Sequence, residues 1–367
     1  MWFQRMSLED WFDTHQYSTR YDVGESAIKF LKAGDLGLDL NSIDLRYGHH
    51  TGAPELRKGI VEDYPGLGVN DILVTSGGAE AIFSICVALL KPGDHVIVEH
   101  PNYPSLYEVP RGLGCEVELF KLDFDRQFEP DLDRFEAMIT PRTRLILFTH
   151  PNNPTGSMIT PAQQARLIGI AESRKIHLIF DETYRALAFG EPLAAAGSLS
   201  PYAVSVTSMS KVYGLPGIRI GWLATRSREV IEGVLAVREQ VTITNSALSE
   251  AIALKVLERR DEFVDRALAH VRQNLAIAAA WVEGRNDIEW VRPKGGVVAF
   301  PRLRAGRVAD PEALYRSIVV DQEVFLIPGR CFDVDNRFFR LGFGATAAEL
   351  TEGLRRVGLA LDAAVGG

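Results

Sequence analysis

From Asp71 onward, short runs of β-branched and apolar residues alternate with longer stretches whose apolar positions recur at helical spacing. This is the pattern of an α/β fold built on a mainly parallel sheet. Seven strands are predicted, Ile72–Thr75, His95–Glu99, Glu116–Lys121, Leu145–Thr149, His177–Phe180, Ala203–Thr207 and Ile218–Ala224. Helices fit between them over Ala79–Leu90, Pro104–Leu113, Asp131–Ile139, Pro161–Arg174 and Glu229–Glu239. Thr160 followed by Pro161 marks a helix start, because the hydroxyl caps a free N–H and proline is tolerated at the first helical position.

The helical pattern from Ser246 to Val282 exceeds the usual helix length, so a break within it is expected. Beyond it, strand-like Gly296–Phe300, Phe325–Ile327 and Phe338–Phe343 precede a C-terminal helix over Ala347–Ala363. Residues 1–46 offer only a short amphipathic helix, Leu8–His15, and then sequence of little periodicity. The chain is longer than a single core usually supports. The expected organisation is an arm and part of a small domain over 1–46, a large α/β domain with a seven-stranded sheet between helices over 47–260, and a small α+β domain over 261–367.

Composition narrows the function classes. At 46% apolar and 24% charged residues the chain is an ordinary globular protein, and its net charge of -8 argues against nucleic acid as the main partner. A small-molecule ligand is expected instead. Cys86, Cys115 and Cys331 are few, odd in number and widely spaced, so neither a disulfide framework nor a cysteine metal site is expected. Cys86 reads as packing within an apolar helix. The N-terminus lacks the basic start and apolar run of a signal peptide, and no apolar segment approaches membrane-spanning length. The cytoplasm is the expected compartment, with no membrane partner.

The chemistry centres on Ser205–Leu223, where Lys211 follows the hydroxyl residues Ser208 and Ser210, precedes Gly214 and Gly217, and is followed eight residues on by Arg219. An amine that attacks a carbonyl must be partly unprotonated, which desolvation and nearby cations achieve by lowering its pKa. The hydroxyls and the guanidinium suit a phosphate. Ligands in open α/β sheets sit beyond the carboxyl ends of the strands, where helix N-termini present free N–H groups. Clusters lie at such ends: Thr75-Ser76-Gly77-Gly78-Ala79, His150-Pro151-Asn152-Asn153-Pro154-Thr155-Gly156 and Asp181-Glu182-Thr183-Tyr184. A carboxylate as deep as that expected for Asp181 needs a cation, or else it is a helix cap. Glu182 is expected at the surface, and His150 as a structural neighbour. Tyr103 lies between prolines, and Arg340 lies in an apolar late strand.

Taken together, and in this order over residues 45–345, these motifs resemble the class I/II aminotransferases of the aspartate aminotransferase fold, which use pyridoxal 5'-phosphate. The resemblance implies that Lys211 forms the Schiff base and then moves the proton at the substrate Cα. Gly78, Ala79, Ser208 and Arg219 would hold the phosphate, and Asn153 and Tyr184 would bond the 3'-oxygen. Asp181 would pair with the pyridine nitrogen, Tyr103 would stack on the ring, and Arg340, with Asn153, would hold the substrate α-carboxylate. Tyr47, in a Tyr…Gly…Leu-Arg element, would reach the phosphate of a partner subunit, making the enzyme a homodimer acting on amino and keto acids. The chain departs from the pattern at Val23-Gly24-Glu25-Ser26-Ala27, on the substrate side. The same residues also serve a lyase or cyclase, since deprotonation at Cα can precede elimination, replacement or ring closure. A cofactor-binding regulator is the remaining alternative, although about 45 residues before Tyr47 are too few for a DNA-binding module and linker.

Overall fold

The computed structural model describes residues 2–366. Helix α1 (Ser7–His15) and the two-residue strand β1 (Tyr21–Asp22) come first, then α2 (Pro54–Val61), β2 (Ile72–Thr75) and α3 (Gly78–Leu89). The chain continues through β3 (His95–His100), α4 (Ser105–Gly112), β4 (Glu116–Lys121), α5 (Leu132–Ala137), β5 (Thr143–Thr149), α6 (Pro161–Arg174) and β6 (His177–Asp181). Next are β7 (Ala203–Ser208), β8 (Gly221–Ala224), α7 (Arg228–Arg238), α8 (Ala247–Leu257) and α9 (Arg260–Glu283). The C-terminal elements are β9 (Ile288–Glu289), β10 (Val298–Ala299), β11 (Arg302–Leu303), α10 (Pro311–Val320), β12 (Val324–Phe325), β13 (Ile327–Pro328), β14 (Phe339–Gly342) and α11 (Ala347–Gly366). Among the described residues no helix is long and apolar enough to cross a membrane.

The central sheet has seven strands in the order β2-β8-β7-β6-β5-β3-β4. It is parallel except at β8, which runs antiparallel to both β2 and β7. Alternate residues of each strand feed opposite faces, as a pleated sheet requires. Along β5, Leu145 and Leu147 join the core with Ile82, Val96 and Val230, whereas Ile146 and Phe148 join the opposite core with Phe120, Phe135 and Phe180. Both faces are therefore covered, which is why the strand reads as a nearly continuous apolar run.

The predicted strands all appear, with one shortened for a clear reason. Pro216–Ile218 form a single 3-10 turn and Arg219 adopts a left-handed backbone at φ 53°, so β8 begins only at Gly221. Helix α6 starts as expected, with the Gln163 N–H donating to Thr160 Oγ1 at 3.2 Å and the Thr160 N–H to Gln163 Oε1 at 2.8 Å. The long helical stretch breaks at Arg259, whose backbone leaves the helical region. Sequence reasoning left out α2 and α10, although each carries the proline start signal at its first helical position. The strand-like C-terminal runs shrink to two to four residues, in the antiparallel sheet β10-β14-β13 and in β12, while the antiparallel pair β11-β9 falls outside them. Strand β1 pairs in parallel with β12, so the first residues of the chain join its last third.

Candidate active site

The chain folds so that five strand ends meet at one edge of the sheet. Strands β2, β3, β5, β6 and β7 all point the same way, and their carboxyl ends lead into Gly78 and Ala79, Tyr103, Asn153, Asp181 and Tyr184, and Ser208 and Lys211. Because β8 runs the other way, its amino end reaches that edge and brings Arg219 with it. Arg340, from β14, closes the group. All of these residues line one cavity of about 260 Å³. Tyr47 stands apart: it is 82% exposed and does not line the cavity of its own chain.

Lys211 Nζ donates to Ser26 Oγ at 2.9 Å and lies 3.3 Å from Glu25 Oε1. Burial acts to depress the Lys211 pKa, but the Glu25 carboxylate and the Tyr184 phenol outweigh it and raise the pKa above the usual lysine value. The sequence-based expectation of a lowered pKa is therefore corrected for this structure, because a carboxylate rather than a cation is the nearest charge. Glu25 answers in kind. Burial works to raise its pKa, yet the charges of Lys211 and Arg340 hold it below the usual glutamate value.

Asp181 contrasts with Glu25. It is 7% exposed, and its Oδ1 accepts from the Thr183 N–H at 3.0 Å. Among the described residues it has no ion-pair partner. Burial raises its pKa, opposed by the Thr183 hydrogen bonds and more weakly by the charge of Lys211. Glu182, expected at the surface, is instead buried, accepting from the Ala196 N–H at 2.7 Å and lying 3.6 Å from Arg185 Nε. The alternation along β6 continues past its end, and turns Glu182 under the sheet edge rather than into solvent.

Arg340 is 1% exposed. Its Nε and Nη2 donate to the Gly24 carbonyl at 3.1 and 2.8 Å, and its Nη1 donates to Asn153 Oδ1 at 3.1 Å. Tyr184 Oη donates to the Ser26 carbonyl at 2.8 Å, and its phenol pKa is raised by burial. Tyr103 Oη donates to Glu9 Oε1 at 3.1 Å, and burial pushes its pKa up to about 12. At the opposite wall α3 begins at Gly78, with its first N–H groups free to meet an anion. Gly77, at φ 86°, is required there: a Cβ on it would lie 2.5 Å from Arg219 Nη2. Ser208 and Ser210 are buried beside this turn, the Ser210 N–H donating to Ser208 Oγ at 3.3 Å.

Sequence reasoning missed the N-terminal wall. Glu9 and Phe12 of α1 and the pair Glu25-Ser26 line the cavity. The available signal was the misfit at Val23-Gly24-Glu25-Ser26-Ala27 with a glycine before an acid, and the amphipathic run at Leu8–His15. The two glycines that admit this segment, Gly342 and Gly344, also stood in the sequence. A Cβ on Gly342 would lie 2.1 Å from the Glu25 carbonyl, so the 23–27 segment crosses β14 in backbone contact. His150 does not line the cavity; it is buried with Nε2 3.2 Å from Glu99 Oε1.

Comparison with known proteins places this geometry in context. Residues 16–357 match the family described as aminotransferase class I and II. The capreomycidine synthase of Streptomyces vinaceus is 29% identical over 95% of this chain and 92% of its own length. A PLP-dependent aminotransferase from Streptococcus suis 89-1591 superposes with a TM-score of 0.93 at 29% identity, covering 99% of both chains. The PLP-dependent cyclase OrfR superposes with a TM-score of 0.89 at 27% identity, over 98% of this chain and 97% of its own.

Replacing Glu25 with Gln removes the closest upward influence on the Lys211 pKa. In cofactor-free Glu25→Gln protein, Lys211 is expected to react severalfold faster with fluorodinitrobenzene at pH 8, quantified by peptide mass spectrometry. An unchanged labelling rate would show that Glu25 does not govern the charge of this amine.

Proposed function

The chain belongs to the class I and II aminotransferase family, and on that premise we propose that the cavity around Lys211 moves the amino group of an α-amino acid onto a 2-keto acid. The enzyme is PLP-dependent and of the aminotransferase type. Lys211 is the amine that carries the cofactor, and Asp181, Tyr184, Asn153 and Arg340 work around it.

Asp181 is the observation that carries this assignment. A carboxylate 7% exposed with no cationic partner is costly, and the cost falls when a protonated pyridine nitrogen sits against it. The residues present fit the rest of the cofactor as well. The amides of Gly78 and Ala79, the Ser208 hydroxyl and the Arg219 guanidinium form an anion cradle on the far wall, Asn153 and Tyr184 offer donors for the ring oxygen, and Tyr103 offers an aromatic face. When bound, the cofactor supplies an electron-poor ring that takes up the electrons left at the substrate Cα on deprotonation. Asp181 holds the positive charge that keeps the ring electron-poor. With the cofactor bound, Lys211 Nζ would take the proton from the substrate Cα and could deliver it to the carbon on the other side of the nitrogen, two bonds away. Tyr184 steadies the released amine, and Arg340 with Asn153 grips the α-carboxylate so that the Cα–H bond faces Lys211.

A second reading has specific support. Capreomycidine synthase and the cyclase OrfR lie among the relatives at nearly full coverage, and ring closure or β/γ-elimination begins with the same deprotonation. The homodimer belongs to this reading too, supported by the exposed Tyr47, which would complete the phosphate cradle of a second subunit. The division into an arm over 1–46, a large domain over 47–260 and a small one over 261–367 likewise belongs here, supported by the β1–β12 pairing of the first residues with the last third. Three unpaired cysteines support a reducing compartment, the cytoplasm.

Half-reactions of the purified enzyme with a panel of amino acids test the choice of reaction. Keto acid without ammonia, with conversion of the cofactor to its amine form, is expected. Ammonia release would favour elimination, and a cyclic product retaining the amino group would favour ring closure. Borohydride reduction followed by peptide mapping is expected to find the cofactor fixed to Lys211, and attachment to any other lysine would overturn the site. Co-expression of Lys211→Ala with Tyr47→Ala subunits tests the shared site. A mixed dimer in which Tyr47 crosses the interface has one intact site, so purified heterodimer should recover up to about half of the activity of the unsubstituted dimer, by the two-fold symmetry of such an assembly. Heterodimer no more active than either parent would place Tyr47 within its own chain.

A further inference from the structure

The reading above assigns every cation that lines the cavity among the described residues: Lys211 to the cofactor carbonyl, Arg219 to the phosphate and Arg340 to the α-carboxylate. Of the three carboxylates that line it, only Asp181 is assigned. Glu25 and Glu9 are left over, on the wall formed by the N-terminal segment. We propose that this enzyme selects amino acids whose side chain ends in a cation, an ammonium or a guanidinium, with Glu25 as the specificity-determining residue and Glu9 as the second carboxylate. The proposal rests on the assignment of Lys211 and Arg340 made above.

Glu25 is held in place rather than free to turn away. The Gly24 and Glu25 N–H groups donate to Asp22 Oδ1 at 3.0 and 2.8 Å, and the Gly24 carbonyl is gripped by Arg340. Its side chain is about one-fifth exposed, with the opening on the cavity. Oε1 accepts from the Ser26 N–H at 2.7 Å and faces Lys211, whereas Oε2 has, among the described residues, only the Gln16 amide at 3.4 Å. A carboxylate has about four acceptor positions, so Oε2 keeps capacity for a further donor. The ammonium of Lys211 is the cation paired with Glu25 among the described residues, and that pair would lapse when the Lys211 nitrogen is neutral, as it must be to take a proton from the substrate Cα. Arg340 does not replace it, because three of its five N–H donors go to Gly24 and Asn153 and the reading above assigns the remainder to the substrate α-carboxylate. A side-chain cation on the substrate restores the pair at the step where it is missing.

The wall around the two carboxylates has the matching shape. Glu9 lies in α1, whose Leu8 and Phe12 line the same cavity and present apolar surface to an aliphatic stem. Glu9 is anchored by the hydrogen bond from Tyr103. A substrate side chain ending in a second carboxylate would meet two like charges and no unassigned cation, so dicarboxylic amino acids are disfavoured by the same arrangement.

Calorimetric titration of the cofactor-free chain with the reduced N-phosphopyridoxyl conjugates of lysine (linked through its α-amino group), norleucine and glutamate tests this without relying on turnover. The lysine conjugate is expected to bind at least about tenfold more tightly than its neutral norleucine counterpart, with glutamate weakest, since close charge pairs in recognition sites couple strongly. Glu25→Gln should bring the lysine and norleucine conjugates to within about threefold of each other, and Glu9→Gln should narrow the gap less. Equal or tighter binding of norleucine or glutamate by the unsubstituted protein would overturn the proposal even if neither variant folds. A preference that survives Glu25→Gln in a folded variant would remove Glu25 as its determinant. Failure of all three conjugates to bind would overturn the reading of the cavity as the cofactor site, whereas tight but equal binding overturns the side-chain proposal alone.

Discussion

A guanidinium buried to 1% exposure is the constraint on which the rest of the site depends. Each donor of such a group left unpaired costs about 1–3 kcal/mol, and Arg340 meets the demand through one backbone carbonyl and one side-chain amide, those of Gly24 and Asn153. Those partners lie 316 and 187 residues away along the chain. The arginine therefore ties the first turn of chain after β1, the loop after β5 and the late strand β14 to a single point. The close passage of the N-terminal segment over Gly342 follows from the same contact. What reads in the sequence as a loosely patterned arm is in fact one wall of the cavity.

The loops that present Tyr103 and Asn153 rest on a buried polar network beneath the sheet edge. Glu99 Oε2 accepts from the Thr149 N–H at 2.9 Å and from Asn152 Nδ2 at 3.0 Å. Asn102 Oδ1 accepts from Thr149 Oγ1 at 2.7 Å and from the Tyr103 N–H at 2.8 Å. These donors satisfy Oε2 of a carboxylate at 0% exposure, while Oε1 lies 3.2 Å from His150 Nε2, and the Oε2 bonds fix the turns after β3 and β5 relative to each other. The positions of Tyr103 and Asn153 are thus set in large part by Glu99, Asn102 and Asn152, which do not line the cavity themselves.

The two carboxylates nearest the chemistry are tuned in opposite directions by their surroundings. Asp181 lacks a cation of its own and burial pushes its pKa up, whereas Glu25 sits against Lys211 and its pKa is pulled down. On the proposed reading Asp181 would receive a positive ring, whereas Glu25 already faces the Lys211 ammonium. The same reading would put the cofactor on the Asp181 side of the cavity and the substrate on the Glu25 side.

The sequence by itself determined the sheet and its edge. Seven short apolar, β-branched runs, the Thr160-Pro161 helix start, and the motif clusters at Gly78, Asn153, Asp181 and Lys211 were legible because such runs, capping and turn chemistry are local properties of a few consecutive residues. Only the tertiary structure decided the ion pair that raises the Lys211 pKa, the burial of Glu182, and the places of Glu9, Glu25 and Ser26 in the cavity wall. These depend on contacts between residues far apart in the chain, Lys211 with Glu25 at a separation of 186 and Tyr184 with Ser26 at 158. No local period encodes such pairs. They follow from where the parallel strands end, from the reversal at β8 that brings Arg219 to the same edge, and from the need of one buried arginine for a carbonyl that only the start of the chain could supply.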